Sequence, residues 1–202
     1  IIFSLAFFSI ITPAFAELNV DVIADGLNNP WEIVFGPEGE IYFTERDGRL
    51  WIIEEFGQAK IIETFPKSGS VEGGTLGLAL DPMFEQNKRI YIYQTNLELE
   101  FFQNKVFSFT LDDYTLTNKE IIIEDIPGAP WHDGGRISFG PDEKLYITTG
   151  DAVNPGWSQD LSSLAGKILR INSDGTIPDD NPFDSSAIFS YGHRNPQGIA
   201  WN

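Results

Sequence analysis

Past its first sixteen residues the chain alternates short apolar runs with clusters of Gly, Pro, Asn and Asp, and no stretch sustains the 3.6-residue period of an amphipathic helix. Ile41–Thr44, Arg49–Ile53, Arg89–Gln94, Val106–Leu111, Ile121–Glu124, Leu145–Thr149 and Lys167–Ile171 are rich in β-branched and aromatic residues and end at turn formers, so they predict strands. The one helical turn expected covers Leu161–Ala165, stopped by Gly166. The pattern is that of an all-β protein.

The segment Trp131 to Asp151 predicts a β-hairpin, with strand-like Arg136–Phe139 and Leu145–Thr149 on either side of Gly140-Pro141-Asp142. His132 and Asp151 are equally distant from that turn, and in an antiparallel pair such positions meet at the open end. A base and a carboxylate are thereby expected side by side, next to Gly134 and Gly135.

Phe35-Gly36-Pro37-Glu38-Gly39-Glu40-Ile41-Tyr42-Phe43-Thr44 matches Phe139 to Thr148, and Gly77-Leu78-Ala79-Leu80-Asp81-Pro82 leading into Arg89–Tyr93 is a third copy with a longer turn. Pro37, Pro82 and Pro141 are 45 and 59 residues apart. A repeat of about 40 to 50 residues holding about four short strands is the signature of propeller blades, whereas a β-sandwich does not repeat its sequence. Gly198-Ile199-Ala200-Trp201-Asn202 overlays Gly77–Asp81, so the sequence reads as about three to three and a half blades of a propeller in residues 17–202, with a natural product expected to be roughly twice as long.

The repeat also places candidate chemistry. Glu72 stands ten residues before Pro82, and His132 nine before Pro141. Arg194 falls nine before the proline that the repeat would put after Asn202. Three polar side chains of different chemistry thus fall at the start of a repeated inner strand, where a propeller opens its axial pocket.

Composition narrows the class. There are 13 Lys and Arg against 30 Asp and Glu, a net charge of −17, which repels phosphate backbones and argues against a nucleic-acid partner. No Cys is present, so thiolate chemistry and Cys-ligated metals are excluded. Residues 1–16 are uncharged and apolar and end in Ala14-Phe15-Ala16, a small-x-small pattern that reads as a signal peptide cleaved after Ala16. At sixteen residues the segment is short for a membrane span of about 20. An exported protein without a stable span is expected, in the periplasm, at the cell surface or outside the cell.

Six segments together resemble the soluble quinoprotein glucose and aldose sugar dehydrogenases, the glucose/sorbosone dehydrogenase family. They are Gly26-Leu27-Asn28-Asn29-Pro30-Trp31, Thr44 to Leu50, Glu72 to Leu78, His132 to Asp151, Gln159 to Ile171, and Gly192-His193-Arg194-Asn195-Pro196-Gln197-Gly198. The resemblance implies a six-bladed propeller that binds pyrroloquinoline quinone (PQQ) and oxidises the C1 hydroxyl of an aldose to the lactone, passing electrons to an external acceptor. It implies His132 as general base, Asp151 as its orienting carboxylate, Arg194 and Asn195 as donors to the quinone oxygens, and Glu72 at the cofactor or substrate rim, where the glucose enzymes carry Gln. Ca²⁺ is also implied, with ligands and the remaining quinone clamp beyond Asn202, so the 202-residue chain alone is expected to be inactive.

The other conspicuous residues read as structural. His193 and Gln197 suit turns, Asp174, Asp179, Asp180 and Asp184 lack the alternation of a Ca²⁺ loop, and Trp31 and Trp51 suit blade packing, while Trp131 and Trp157 suit either packing or a sugar platform. Two other functions compete. A lactonase-type propeller needs several carboxylate and Asn ligands for an axial metal, and a non-catalytic binding propeller has no use for His132, Asp151, Arg194 and Asn195 together.

Overall fold

Short alternating strands joined by tight turns pair with their sequence neighbours, and three meandering sheets result. A computed structural model describes residues 19–54 and 57–202; the expected signal peptide, residues 1–16, lies outside them. The first sheet is β1 (Pro30–Phe35), β2 (Ile41–Glu45), β3 (Arg49–Ile53) and β4 (Lys60–Thr64). The second is β5 (Thr75–Leu80), β6 (Arg89–Glu98), β7 (Phe101–Asp112) and β8 (Thr115–Pro127), with the one-turn helix α1 (Phe84–Asn87) between β5 and β6. The third is β9 (Gly134–Phe139), β10 (Leu145–Thr149), β11 (Lys167–Ile171) and β12 (Ile188–Tyr191), with α2 (Pro155–Gln159) between β10 and β11. Each sheet is antiparallel and four-stranded in chain order, as a propeller blade is.

The first strands stand side by side, β1 against β5 and β5 against β9, so the three sheets fan out from a common inner edge. Period-two alternation explains the packing of the middle sheet. Tyr91 and Tyr93 on β6 face the third sheet, packing with Ile137, Leu145, Ile147 and Leu169. Ile90 and Ile92 face the first sheet, packing with Tyr42, Leu50 and Ile52. Leu76 and Leu78 have the same parity yet point to opposite cores, because a bulge between Thr75 and Leu78 inserts one residue into β5.

The expected strands all form, several of them longer than the apolar pattern suggested. The expected helix over Leu161–Ala165 does not; those residues are turns. Asp160 and Ser163 side chains take the amides of Ser162 and Ala165, competing with helical bonds. The helical turn lies earlier, where the Asn154 side chain accepts the Gly156 amide and Pro155 opens α2.

The corner holding His132 is fixed from below by a residue the sequence pattern did not single out. Asp133 is buried; its Oδ1 accepts bonds from Asn104 Nδ2 and the Ala129 amide, both at 3.1 Å, and the Ser70 hydroxyl lies 3.4 Å from Oδ2. Tyr93 donates to the Asp133 carbonyl at 2.8 Å. Blades two and three are thereby joined directly beneath the corner. Burial pushes the Asp133 carboxyl above the usual range, against the pull of these three donors, and the charge of Glu72 adds to the rise.

A carboxyl with a raised folded-state pKa binds its proton more tightly in the folded chain. Stability then falls as pH rises from the ordinary Asp range of about 4 through the raised value. Urea unfolding of Asp133→Asn across pH 4 to 7 is expected to show a flatter pH dependence and no loss of stability at neutral pH, since the amide oxygen still accepts from Asn104 and Ala129. Asp133→Ala leaves those donors unmatched and is expected to lose about 1–3 kcal/mol.

Candidate active site

Two hydrogen-bonded strands carry side chains in phase, and a bulge changes the phase by one residue. In the third sheet β9 and β10 pair Phe139 with Leu145, Ser138 with Tyr146 and Ile137 with Ile147, then slip so that Gly134 meets Thr149. The extra residue sits on β9, and the Arg136 amide turns to the Thr148 hydroxyl at 2.9 Å. Two residues further out, the new register sets His132 opposite Asp151.

The pairing expected from the sequence is formed: His132 Nδ1 lies 2.8 Å from Asp151 Oδ1. Asp151 is buried, its carboxylate also accepts the Val153 amide at 2.9 Å, and its own amide donates to the Arg194 carbonyl at 2.7 Å. A carboxylate so held is an acceptor, and with the imidazole proton on Nδ1 toward it, Nε2 is the nitrogen with a free lone pair. The His132 side chain keeps 15% of its surface exposed, against 3% for Asp151, so the base is reachable and its partner is not.

His132 adopts φ +64°, a left-handed conformation unusual for a residue with a Cβ. Neighbours hold it there. Its amide donates to Glu72 Oε2 at 2.9 Å, its carbonyl accepts the Ala152 amide at 3.2 Å, and a Cβ on Gly150 would fall 1.7 Å from that carbonyl. Only glycine permits so close an approach.

Glu72 is central to the assembly. The oxygen that accepts from His132 also accepts from Asn195 Nδ2 at 3.2 Å, and Asn195 Oδ1 accepts the Gly134 amide at 3.0 Å. The Glu72 amide in turn donates to the Pro130 carbonyl at 3.0 Å. Four of the five expected site residues, Glu72, His132, Asp151 and Asn195, are thus joined by hydrogen bonds, the Glu72 carboxylate reaching His132 at its backbone amide. The fifth, Arg194, contributes its carbonyl here and is itself exposed.

The repeat resolves more finely in three dimensions than along the chain. Two residues outward from the last ladder pair, the third sheet carries His132 and Asp151, the first carries Asn28 and Asp47, and the second carries Gly73 and Asn96. Glu72 therefore stands one residue before the position of His132, as its ten-residue spacing from Pro82 against nine between His132 and Pro141 requires, the inner strand of each sheet carrying one bulge. Asn28 Nδ2 donates to Asp47 Oδ2 at 3.2 Å, a copy of the His132 and Asp151 geometry with an amide in place of the base. Their offset from the third sheet is the same 104 residues as that of the repeated turn, a signal the sequence did hold. Asn96 is half-buried, and its Nδ2 has no partner among the described residues.

Lys167 was also not anticipated. Its ammonium is fully buried and donates to the carbonyls of Trp157 and Ala165 at 2.7 Å and of Ser158 at 3.2 Å. It ties down the loop whose Gly166 bonds to both Gly150 and His193, and so braces Asp151 and Arg194 from the outer side. His193 itself bonds through Nε2 to Ser190 at 2.8 Å; burial, with the Lys167 charge nearby, holds its pKa below the usual imidazole range. The Gln197 carbonyl accepts from Arg136, whose guanidinium lies 4.3 Å over the Trp31 ring, and Trp51 stacks on Phe43. Asp180 pairs with Arg170, while Trp131 and Trp157 remain 48% and 39% exposed.

A family model described as glucose/sorbosone dehydrogenase matches residues 27–202. Quinoprotein glucose dehydrogenase B of Acinetobacter calcoaceticus is 31% identical over 89% of this chain and 45% of its own length. Aldose sugar dehydrogenase YliI of Escherichia coli is 32% identical over 93% of this chain and 54% of its own. The PQQ-bound aldose sugar dehydrogenase of Streptomyces coelicolor matches with a TM-score of 0.85 and 36% identity, over 91% of this chain and 56% of that one. The chain spans about half the length of the curated relatives it matches. The matched segment holds all three blades and every residue of the His132 corner, and the chain belongs to the glucose/sorbosone dehydrogenase family.

Proposed function

We propose that the protein of which this chain is a part oxidises aldose sugars at the C1 hydroxyl to lactones, with PQQ as electron acceptor, His132 as general base and an external carrier re-oxidising the cofactor. The observation that supports it is the 2.8 Å bond between His132 Nδ1 and buried Asp151, which leaves Nε2 free of the carboxylate on a side chain that stays 15% exposed. The relatives' names place sugar oxidation and quinone binding in the family. We propose also that residues 1–16 direct export; among the described residues no helix is long and apolar enough to cross a membrane.

The donor set suits one wall of a quinone site. Arg194 offers an exposed side chain of the right charge for oxygens that become more negative on reduction, and Asn96 Nδ2 is a donor without a partner among the described residues. The Asn195 side chain is already engaged by Gly134 and Glu72, so its part is to hold the wall together, with one amide hydrogen left for a ligand. Arg194, Asn195 and the rim residue Glu72 would hold PQQ, which when bound supplies the two-electron sink. The calcium of this proposal takes its ligands from outside these residues.

His132 Nε2 takes the proton of the C1 hydroxyl as its C–H hydrogen leaves with two electrons. Asp151 keeps the proton on Nδ1, fixes the ring plane and stabilises the imidazolium as it forms. Glu72 holds the His132 backbone in its left-handed conformation, and with it the reach of the ring.

The test is dye-linked turnover of the full-length protein reconstituted with PQQ and Ca²⁺ against a panel of aldoses. His132→Ala is expected to lower kcat about 10²- to 10⁴-fold, the scale of a general base. Turnover that persists in His132→Ala overturns its assignment as base; no quinone binding and no turnover in the parent favours a binding propeller.

Glu72→Ala frees the His132 amide and Asn195 together and is expected to lower kcat by roughly ten- to a hundredfold through misplacement of the base. Glu72→Gln keeps an accepting oxygen at the same place and is expected to stay within a few-fold of the parent. Equal kcat for Glu72→Ala and the parent would show that the base is positioned without Glu72.

A further inference from the structure

Oxidation of an aldose to a lactone releases two electrons and two protons, and the electrons must leave the protein. Beside the His132 corner, the second sheet extends well beyond the length of its neighbours. β6 and β7 stay paired from Arg89 and Thr110 out to Glu98 and Phe101, which gives strands of 10 and 12 residues, whereas β9 and β10 have 6 and 5. The extension ends in a two-residue turn, Leu99-Glu100, with φ of +47° and +73°. Turns with both central residues left-handed favour Asn-Gly, and leucine is poorly suited to them. The residue placed there against backbone preference is also the most exposed large apolar side chain described: Leu99 is 93% exposed, flanked by Leu97 at 56% and Phe101 at 73%.

This tip is not the raw edge of an open ring. The second sheet is flanked on both faces by the first and third, through the two cores described above, so its neighbours in the ring are already in place. At the hairpin's base, buried Asn104 donates to Asp133, the residue after the proposed base. Phe101, Phe102 and Pro127 line one cleft with the half-exposed Trp157 of α2. An apolar tip therefore stands beside the site, joined to it by hydrogen bonds.

Charge selects the partner. Glu98, Glu100, Glu124 and Asp125 surround the hairpin with Lys105 as the one nearby cation among them, on a chain of net charge −17. Such a surface repels anionic lipid and a second copy of itself and attracts a basic protein. A dissolved small oxidant has no use for an exposed apolar tip. We propose that the Leu97–Phe101 tip is the docking point for a basic one-electron carrier protein that serves as terminal acceptor. The proposal rests on the dehydrogenase reading above. Each aldose oxidised to lactone reduces two carrier molecules by one electron each and releases two protons to solvent.

The experiment uses the full-length protein with PQQ and Ca²⁺, and compares the parent with Leu99→Asn/Glu100→Gly, which installs the residues the turn favours and so preserves the hairpin. With a basic c-type cytochrome as acceptor at low ionic strength, kcat/KM for the cytochrome is expected to fall at least tenfold in the variant, while reduction of a small neutral dye stays within twofold. Added salt is expected to slow cytochrome reduction by the parent, as the Debye length shrinks to about 8 Å at 0.15 M. A second readout is independent of turnover: calorimetric titration of the cofactor-free protein with the oxidised cytochrome is expected to show a complex that the variant loses. Equal cytochrome rates or equal binding for parent and variant overturn the docking site, as does sedimentation or vesicle flotation showing that the tip serves self-association or lipid. Absence of dye reduction in the parent overturns the dehydrogenase reading instead, and the titration still decides the docking surface.

Discussion

One inserted residue in β9 underlies the whole candidate site. Without the slip between Ile147 and Thr149 the regular ladder would set Asp133, not His132, opposite Asp151, and the imidazole would face away from the carboxylate. With the slip, His132 Nδ1 meets Asp151 Oδ1 and Asp133 turns inward to anchor the corner on Asn104 and Ala129. One irregularity thus separates the exposed group from the anchoring one. The first and second sheets have a bulge near the matching place, yet the first ends in Asn28 and Asp47, so the three described sheets share the backbone device and the imidazole belongs to one blade.

The cost of the arrangement is local strain, and its compensation comes from the same blade and from the second. His132 sits at positive φ while accepting and donating bonds to Ala152 and Glu72, and Glu72 reaches it from the second blade while also binding Asn195. A strained residue persists only where its surroundings over-determine it. Here they do so through Asp133 below, Gly150 beside, Glu72 across and the Lys167 loop behind. The site is therefore a property of three strand ends held in common, which is why a repeated inner strand is a suitable scaffold for it.

The acidic balance of the chain acts on a different scale. The corner itself is small and internally paired, whereas the surplus carboxylates are spread over loops and outer strands and set the long-range field. That field repels polyanions and attracts basic surfaces. The strained, solvent-exposed Leu99 turn departs from ordinary hairpin chemistry as His132 departs from ordinary backbone geometry, and both departures fall on the same side of the second and third blades.

Much was legible in the sequence because it depends on period and spacing alone. Two-residue alternation marked the strands, the Gly-Pro turn marked the hairpin, and the repeat marked the blades and aligned Glu72, His132 and Arg194 at their starts. That His132 and Asp151 stand at the same open end of the hairpin was readable from their distance to the turn, whereas the bulge in β9 decided that His132 and not Asp133 meets Asp151. What tertiary structure decided was what depends on neighbours distant along the chain. Leu161–Ala165 folds as turns because Asp160 and Ser163 capture its amides, and α2 forms where Asn154 and Pro155 start it. Glu72 stands one residue before the place that His132 takes in its own blade, and only the packing of the second blade on the third shows that its carboxylate reaches the His132 amide. Asp133 and Lys167 gain their importance only once burial removes them from water and leaves particular carbonyls and amides to satisfy them. Local pattern determines which strands exist and which residues stand at their ends; the docking of one blade on the next determines which of those ends touch.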